Sequence, residues 1–600
     1  MITLPSPDEK NFRQYSEEIV RDFLQTIMVV DDRAYFEEKE STAVPTEVTA
    51  PGPPSFTGGR KLTRDDTQSA VDRNAAFPDE TKVISESVER KSLVDKAHEL
   101  NAKKLIEDFA IKGMLCAVIR PKDVEVESLP DKVYPLAENC DIVVFDWVLY
   151  GATDGGKVKE LISEITKRSS IMAKRLRLIV VYTGQEELAA ITSEIKSALE
   201  KAGQSNVSAK NDYTLEAGPV RIAVYAKGYV PVVPENKELA ARIIPIEQMP
   251  DRLIAEFTDM TMGLVSNVAI SSMAALRSNT HRVLSKFHPR LDAPFLAHRA
   301  MLPHPEDANE LLVYLIGSEL TAVLEGHEVG LAADLHDGFD VIKAWVEMNE
   351  SEMTTTKERG FAKKFSIANS PHFISDLIRL LREGFKPKSL PNQFAPMSDE
   401  PHKGKLTRKL TRSESPPTIM EEEANALEYE FAVLTTLKSN YREKAPILLP
   451  GTILKESGDR DEAGGKSKYW VCIQPSCDCV RIEEPRSFLF LRLALDNGRF
   501  HLVLRDNGEY KKLRVVYRQY ESRSIEFLPA GDGSQTVRGL KEDVAIHFVA
   551  GDSTHYLWMG ELKFEQAQRI INRYATIQSR VGLDESEWLR RWGVGRDDED

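Results

Sequence analysis

The sequence predicts a multidomain chain: an α/β region first, a helical region second and a β-rich region last. Three observations carry this. Strand-type apolar runs alternate with helical patterns up to about residue 230, helical spacing prevails from about 236 to 386, and short strands broken by Asn-Gly steps dominate after about 424. At 600 residues the chain exceeds what one hydrophobic core organises, and a rough prior gives about four units.

In the first region the apolar runs are Thr26–Val30, Leu115–Ile119, Asp141–Phe145, Leu176–Tyr182 and Val220–Tyr225. Helical patterns lie between them near Ser92–Ile111, Val158–Met172 and Glu187–Ala202. Five strands alternating with helices read as a doubly wound parallel five-stranded sheet. The first region is set at 1–235. Residues 33–89 interrupt it, rich in Pro, Gly, Thr and charge and poor in large apolar side chains, and read as a flexible insertion.

The helical region is set at 236–386. Pro250 can open one long helix to about Phe287, with Leu253, Phe257, Met260, Leu264, Val268 and Met273 as its apolar stripe. Further helices are expected at Glu306–Glu325, Asp340–Asn349 and His372–Glu383. Residues 387–423 read as a Pro/Ser/Lys linker, and 424–600 as a small antiparallel β barrel or sandwich with a C-terminal helix, Phe564–Arg580, and an acidic tail. Asp496-Asn497-Gly498 and Asp506-Asn507-Gly508 are both read as hairpin turns.

Composition narrows the function classes. The 79 Lys and Arg against 94 Asp and Glu leave a net charge of −15, which argues against a nucleic-acid partner. No apolar run reaches membrane-span length, the first residues lack a signal peptide, and five Cys fit free thiols in a reducing cytoplasm. There is no phosphate-binding glycine loop, no dinucleotide fingerprint and no His-Glu-x-x-His. Cys472, Cys477 and Cys479 have the wrong spacing for a usual zinc site and read as inert thiols. His281 and His288 read as ordinary surface histidines on the long helix.

The polar residues at the strand ends are more informative. In an open parallel sheet, ligands bind beyond the carboxyl ends of the strands. The first run ends in Asp31-Asp32, the third in Asp146, the fourth in Thr183 and the fifth in Lys227. Three carboxylates on one rim call for a cation, and an oxygen-only set suits Mg²⁺. A carboxylate held ionised there can attack phosphorus, and a hydroxyl and an ammonium suit the remaining phosphoryl oxygens.

Val-Val-Asp-Asp at 29–32, Cys-Asp-Ile-Val-Val-Phe-Asp-Trp-Val-Leu-Tyr-Gly at 140–151, Val-Val-Tyr-Thr-Gly at 180–184 and Tyr-Ala-Lys-Gly at 225–228 resemble the receiver domain of two-component response regulators. The resemblance covers about residues 1–230 apart from the insertion and implies a flavodoxin-like sheet. It implies Asp146 as phospho-acceptor, Asp31, Asp32, Asp146 and the Val148 carbonyl as Mg²⁺ ligands, and Thr183 and Lys227 as partners of the phosphoryl group. It also implies a histidine kinase or other phosphodonor protein as partner, a downstream effector protein, and no chemistry beyond gain and loss of the chain's own phosphoryl group. Two positions depart from the pattern: Gly228 stands where a Pro usually follows the Lys, and Val224 where an aromatic usually precedes it. The segment from Gly184 to Val220 is longer than usual. A haloacid-dehalogenase-like phosphatase would need an acid at 148, which is Val.

The whole architecture resembles receiver-bearing partner proteins of bacterial two-component-like anti-phage systems, in which the receiver regulates or stores phosphate. Two other readings stay open: a scaffold that binds partners without phosphate, and an effector with its active site in the β-rich region near Cys477 and Asp478.

Overall fold

The computed structural model describes residues 10–36, 99–122, 127–169, 175–228, 237–356, 370–383, 424–441, 444–456, 467–542 and 545–578. The chain divides into two compact units, 1–348 and 349–600. Most of the proposed insertion, the linker 387–423 and the acidic tail lie outside the described residues.

The first unit opens with helix α1 (Phe12–Phe23), which starts at a reciprocal capping box between Asn11 and Gln14. Strands β1 (Thr26–Val30), β2 (Leu115–Ile119), β3 (Ile142–Phe145), β4 (Arg177–Thr183) and β7 (Val220–Lys227) are parallel, in the order β2-β1-β3-β4-β7. Helices α2 (Ala102–Ile111), α3 (Leu129–Ala137), α4 (Gly156–Lys167) and α5 (Leu188–Lys201) connect them. Helices α1 and α3 come in addition to the elements the sequence predicts.

The long segment before Val220 is an antiparallel hairpin, β5 (Val207–Asn211) and β6 (Thr214–Ala217), which extends the sheet beyond β7. A two-residue strand, β8 (Ile243–Ile244), pairs parallel with β7 at Ala226 and Lys227. Separately from this sheet, Ala34–Tyr35 pairs parallel with Leu100–Asn101, so the two ends of the segment 37–98 lie side by side.

Alternation along the strands divides the core in two. Met28, Val143, Phe145, Val181 and Val224 face α3, α4 and α5. Ile27, Val29, Val180, Ala223 and Tyr225 face α1, α2 and α6 (Met249–Thr261). Leu253, Ile254 and Phe257 of α6 thus complete the second face of the sheet.

The single helix expected from Pro250 to Phe287 is two helices, α6 and α7 (Leu264–Lys286), separated at Met262 and Gly263. Their buried faces need different neighbours: α6 lies on the sheet, whereas α7 packs along α1, where Asn267 donates to Ser16 Oγ at 3.0 Å. The side chains of Thr258 and Thr261 bond back to Ile254 and Phe257, which weakens helical continuity at this point. Helices α8 (Asp292–Met301), α9 (Asp307–Gly326) and α10 (Val341–Met348) follow.

The second unit includes helices α11 (Glu350–Thr356), α12 (Phe373–Glu383) and α13 (Ala424–Thr436). Then come β9 (Thr452–Glu456), β10 (Tyr469–Cys472), β11 (Arg486–Leu495), β12 (Leu502–Asp506), β13 (Glu509–Val515), β14 (Arg523–Phe527), β15 (Leu540–Glu542), β16 (Ala545–Val549), β17 (His555–Glu561) and α14 (Phe564–Gln578). The strands form one antiparallel sheet, β12-β13-β11-β10-β9-β17-β16-β15, with β14 also on β11. An isolated bridge between Phe527 and Ala550 brings β14 to the end of β16, so this part of the sheet curls into a half-barrel.

Leu454, Trp470, Phe490, Phe527, Phe548 and Tyr556 fill the half-barrel interior. Leu491, Leu513 and Ile570 belong to a second core, beneath α14. Asn507 and Gly508, both at positive φ, form the two-residue turn between β12 and β13. The other Asn-Gly step is not a hairpin, because β13 rather than β12 pairs with the end of β11. Asp496 Oδ1 there accepts the Gly498 and Arg499 amides, which turns the chain without pairing its flanks.

Candidate functional site

The parallel register sets the rim. Val30, Phe145, Val181 and Val224 form one row across β1, β3, β4 and β7. The next residues are Asp31, Asp146, Tyr182 and Tyr225, so Asp31 and Asp146 emerge side by side. Thr183 and Lys227 end their strands slightly farther out. Lys227 reaches back over the Tyr182 ring, its Nζ 5.8 Å from the ring centre, and donates to Asp31 Oδ2 and Asp146 Oδ2, each at 3.0 Å. Tyr182 is itself held by its hydroxyl, which donates to the Ile244 carbonyl at 3.0 Å.

Backbone amides orient the carboxylates. Arg33 N donates to Asp31 Oδ1 at 2.8 Å, Val148 N to Asp146 Oδ1 at 3.4 Å and Tyr150 N to Asp32 Oδ2 at 2.7 Å. The last bond depends on the loop after β3, where Tyr150 and Gly151 take positive φ. Trp147 anchors that loop: it is buried, and its Nε1 donates to the Thr153 carbonyl at 3.1 Å. Gly155 lies against the indole, where a Cβ would come within 2.4 Å of the ring, and its φ of 60° suits glycine. The Thr183 hydroxyl accepts from Gln185 N at 3.1 Å.

Asp31, Asp32 and Asp146 each offer an oxygen within 4.8 Å of the others, the one such group among the described residues. Asp31, Asp146 and Lys227 are almost wholly buried. Burial pushes the Asp146 carboxyl above its ordinary range; Lys227 opposes this and Asp31 adds to it. Burial also raises Asp32, with the charge of Asp31 adding to the shift. For Lys227 burial alone would lower the ammonium, but Asp146 and Asp31 outweigh it and the net shift is upward.

The Lys227 ammonium thus pairs with two of the three carboxylates, and Asp32 Oδ1 is a buried acceptor with no hydrogen-bond partner. That unused oxygen and the all-oxygen donor set fit a hard divalent cation such as Mg²⁺.

The structure also explains both departures at the end of β7. A Cβ on Gly228 would meet the Pro245 backbone at 2.8 Å, because β8 returns alongside β7. Val224 is buried on the α4–α5 face, while Tyr225 points to the other. The Tyr225 hydroxyl donates to Glu256 Oε2 of α6 at 2.5 Å, and Arg242 stacks on its ring at 4.7 Å. Arg242 and Arg221 also flank Glu256, at 3.2 and 3.5 Å. Arg221 and Tyr225, polar groups inside an otherwise apolar strand, were the sequence signal for this network, which the sequence reading missed.

Residues 23–231 match the family model of the response receiver domain. This part of the chain is a receiver domain, the module that receives the signal in response regulators. No curated protein matches the chain, and no solved structure does. The family match ends before the helices that follow and before the half-barrel.

The three cysteines of the barrel unit do not form a metal-binding cluster among the described residues. Cys472 and Cys479 are buried in the half-barrel interior, where burial pushes the Cys479 thiol up to about 12. Cys477 is exposed beside Asp478. A cavity of about 340 Å³ in this unit lies elsewhere, lined by His501, Tyr517, Arg569 and Arg573 among others. His281 and His288 are exposed.

Proposed function

We propose that the chain is a response-regulator-type signalling protein that accepts a phosphoryl group on Asp146 from a partner histidine kinase, in a Mg²⁺-dependent reaction. The observation that carries this reading is the convergence of Asp31, Asp32 and Asp146 with Lys227 at the carboxyl ends of the parallel strands. Mg²⁺ on these carboxylates and the Val148 carbonyl would neutralise charge and hold the phosphoryl oxygens for in-line transfer.

The chain's own groups supply the rest. An Asp146 carboxylate oxygen attacks phosphorus; the new P–O bond forms as the bond to the donor nitrogen breaks, and the donor histidine retains that electron pair. The Lys227 ammonium, already on Asp146, pairs with the phosphoryl oxygens, and Thr183 offers its hydroxyl to another. Movement of Lys227 acts on β7 and on β8 paired beside it, and Tyr225 of β7 bonds to Glu256 of α6, so α6 is the first helix beyond the rim on this path. The biological setting follows the architectural resemblance: anti-phage defence, with the receiver as regulator or phosphate sink.

The test is intact-mass analysis after incubation with acetyl phosphate and Mg²⁺. The parent chain gains one phosphoryl group and Asp146→Asn does not. Labelling of the variant, or none of the parent with either acetyl phosphate or a phosphorylated kinase, defeats the proposal and favours a phosphate-independent scaffold.

A further inference from the structure

Helices α7 and α9 form an antiparallel hairpin, with Asn279 beside His327 and Lys286 paired with Glu319. Its root is fixed to the receiver: Arg277 donates to both oxygens of Asp141 and to the Phe23 carbonyl. Beyond that root most of the hairpin's apolar surface is exposed among the described residues. Ala308 is the one buried residue of α9, although Leu311 to Ile316 are six consecutive apolar residues. Val313 is 73% exposed and Tyr314 70%. A helix apolar on several sides is ordinarily buried, and a patch this continuous marks an interaction surface.

We propose that two copies of this chain associate through this hairpin, with their α9 helices crossing antiparallel about a two-fold axis near Gly317. The spacing of Val313, Ile316, Gly317 and Leu320 places all four on one helical seam. Gly317 sits at its middle with open space where a Cβ would be, which lets a second helix approach closely.

Charge selects a second copy over a foreign partner. Helix α7 carries Arg277, Arg282 and Lys286 and no acid; α9 carries Asp307, Glu310, Glu319 and Glu325 and no base. Lys286 and Glu319 already join the two helices within one hairpin, while Arg282, Glu310 and Glu325 have no ion-pair partner among the described residues. Each hairpin therefore presents both halves of a complementary surface, as an isologous contact requires. The size suits a reversible pairing. A face about 30 Å long and about 18 Å across, from helix rise and interhelix spacing, covers roughly 540 Å² in projection, about two thirds of the roughly 800 Å² per partner of a standard interface and in the range of weak, reversible association.

The experiment is sedimentation velocity on the full chain at micromolar concentration, with cross-linking. The parent sediments as a dimer, and the double variant Val313→Asp/Ile316→Asp as a monomer with unchanged secondary structure, since both side chains are exposed. In a Cys477→Ser background, Gly317→Cys forms a disulfide-linked dimer on mild oxidation, whereas Glu325→Cys, away from the axis, does not. A monomeric parent overturns the proposal, as does a dimer that survives the double variant. A parent that stays monomeric but binds phosphatidylcholine vesicles, with binding lost in the double variant, assigns the face to lipid instead.

Discussion

A buried carboxylate between another carboxylate and an ammonium, as at Asp146, gains by holding its proton. An acid whose folded-state pKa lies above its unfolded value stabilises the fold least when ionised. The metal-free receiver should therefore lose stability as pH rises from the ordinary carboxylate range through the raised value of Asp146. Asp146→Asn removes one of the opposed charges and leaves the Lys227–Asp31 pair intact. In EDTA at neutral pH the variant should be more stable than the parent by about 1–3 kcal/mol, and Mg²⁺ should raise its melting temperature less. Differential scanning fluorimetry reads both, and a less stable variant counts against the opposed-charge account. At Gly228 the constraint is steric. Gly228→Ala places a Cβ against the Pro245 backbone and should cost about 1–3 kcal/mol in a urea titration. Restoring the Pro common in receivers should be no better tolerated.

Among the elements, those with one clear period were legible and those set by distant partners were not. Strands β1, β3 and β4 are continuous apolar runs ending in polar residues, so the order of Asp31, Asp146 and Thr183 could be read from the chain. The hairpin β5–β6 could not, since Val207–Asn211 is mostly polar and gains its place from pairing with β6. The break between α6 and α7 was hidden because the apolar stripe runs through it while the neighbours change. Of the two Asn-Gly steps, only Asn507-Gly508 has positive φ at both residues. Local sequence matched, and strand order decided. Helix α6 offers a direct test of such long-range dependence. Glu256→Ala strands the Tyr225 hydroxyl and leaves Arg221 and Arg242 without their shared acceptor. The expected loss is about 3–5 kcal/mol, with Glu256→Gln losing less because it keeps acceptor capacity. Equal stability of the two variants by chemical denaturation would show that the network contributes little.

For the whole molecule, two compact units with separate cores predict two unfolding events rather than one. Calorimetry should resolve two transitions. Mg²⁺ should raise only the one belonging to residues 1–348, because the acidic cluster lies there and a ligand stabilises only what it binds in the folded state. A single transition that shifts as a whole with Mg²⁺ would show instead that the units unfold as one.

The ladder between Ala34–Tyr35 and Leu100–Asn101 makes residues 37–98 a detour rather than a link between distant points. Bringing chain ends together costs entropy that grows with the logarithm of the intervening length, roughly 0.6 kcal/mol for each doubling. Cutting the detour to about eight residues removes about three doublings, so the receiver should become about 2 kcal/mol more stable while phosphate uptake at Asp146 persists. The same two anchors make this stretch the natural place to splice in a foreign domain whose own termini lie close together, turning a rim event into a reporter signal.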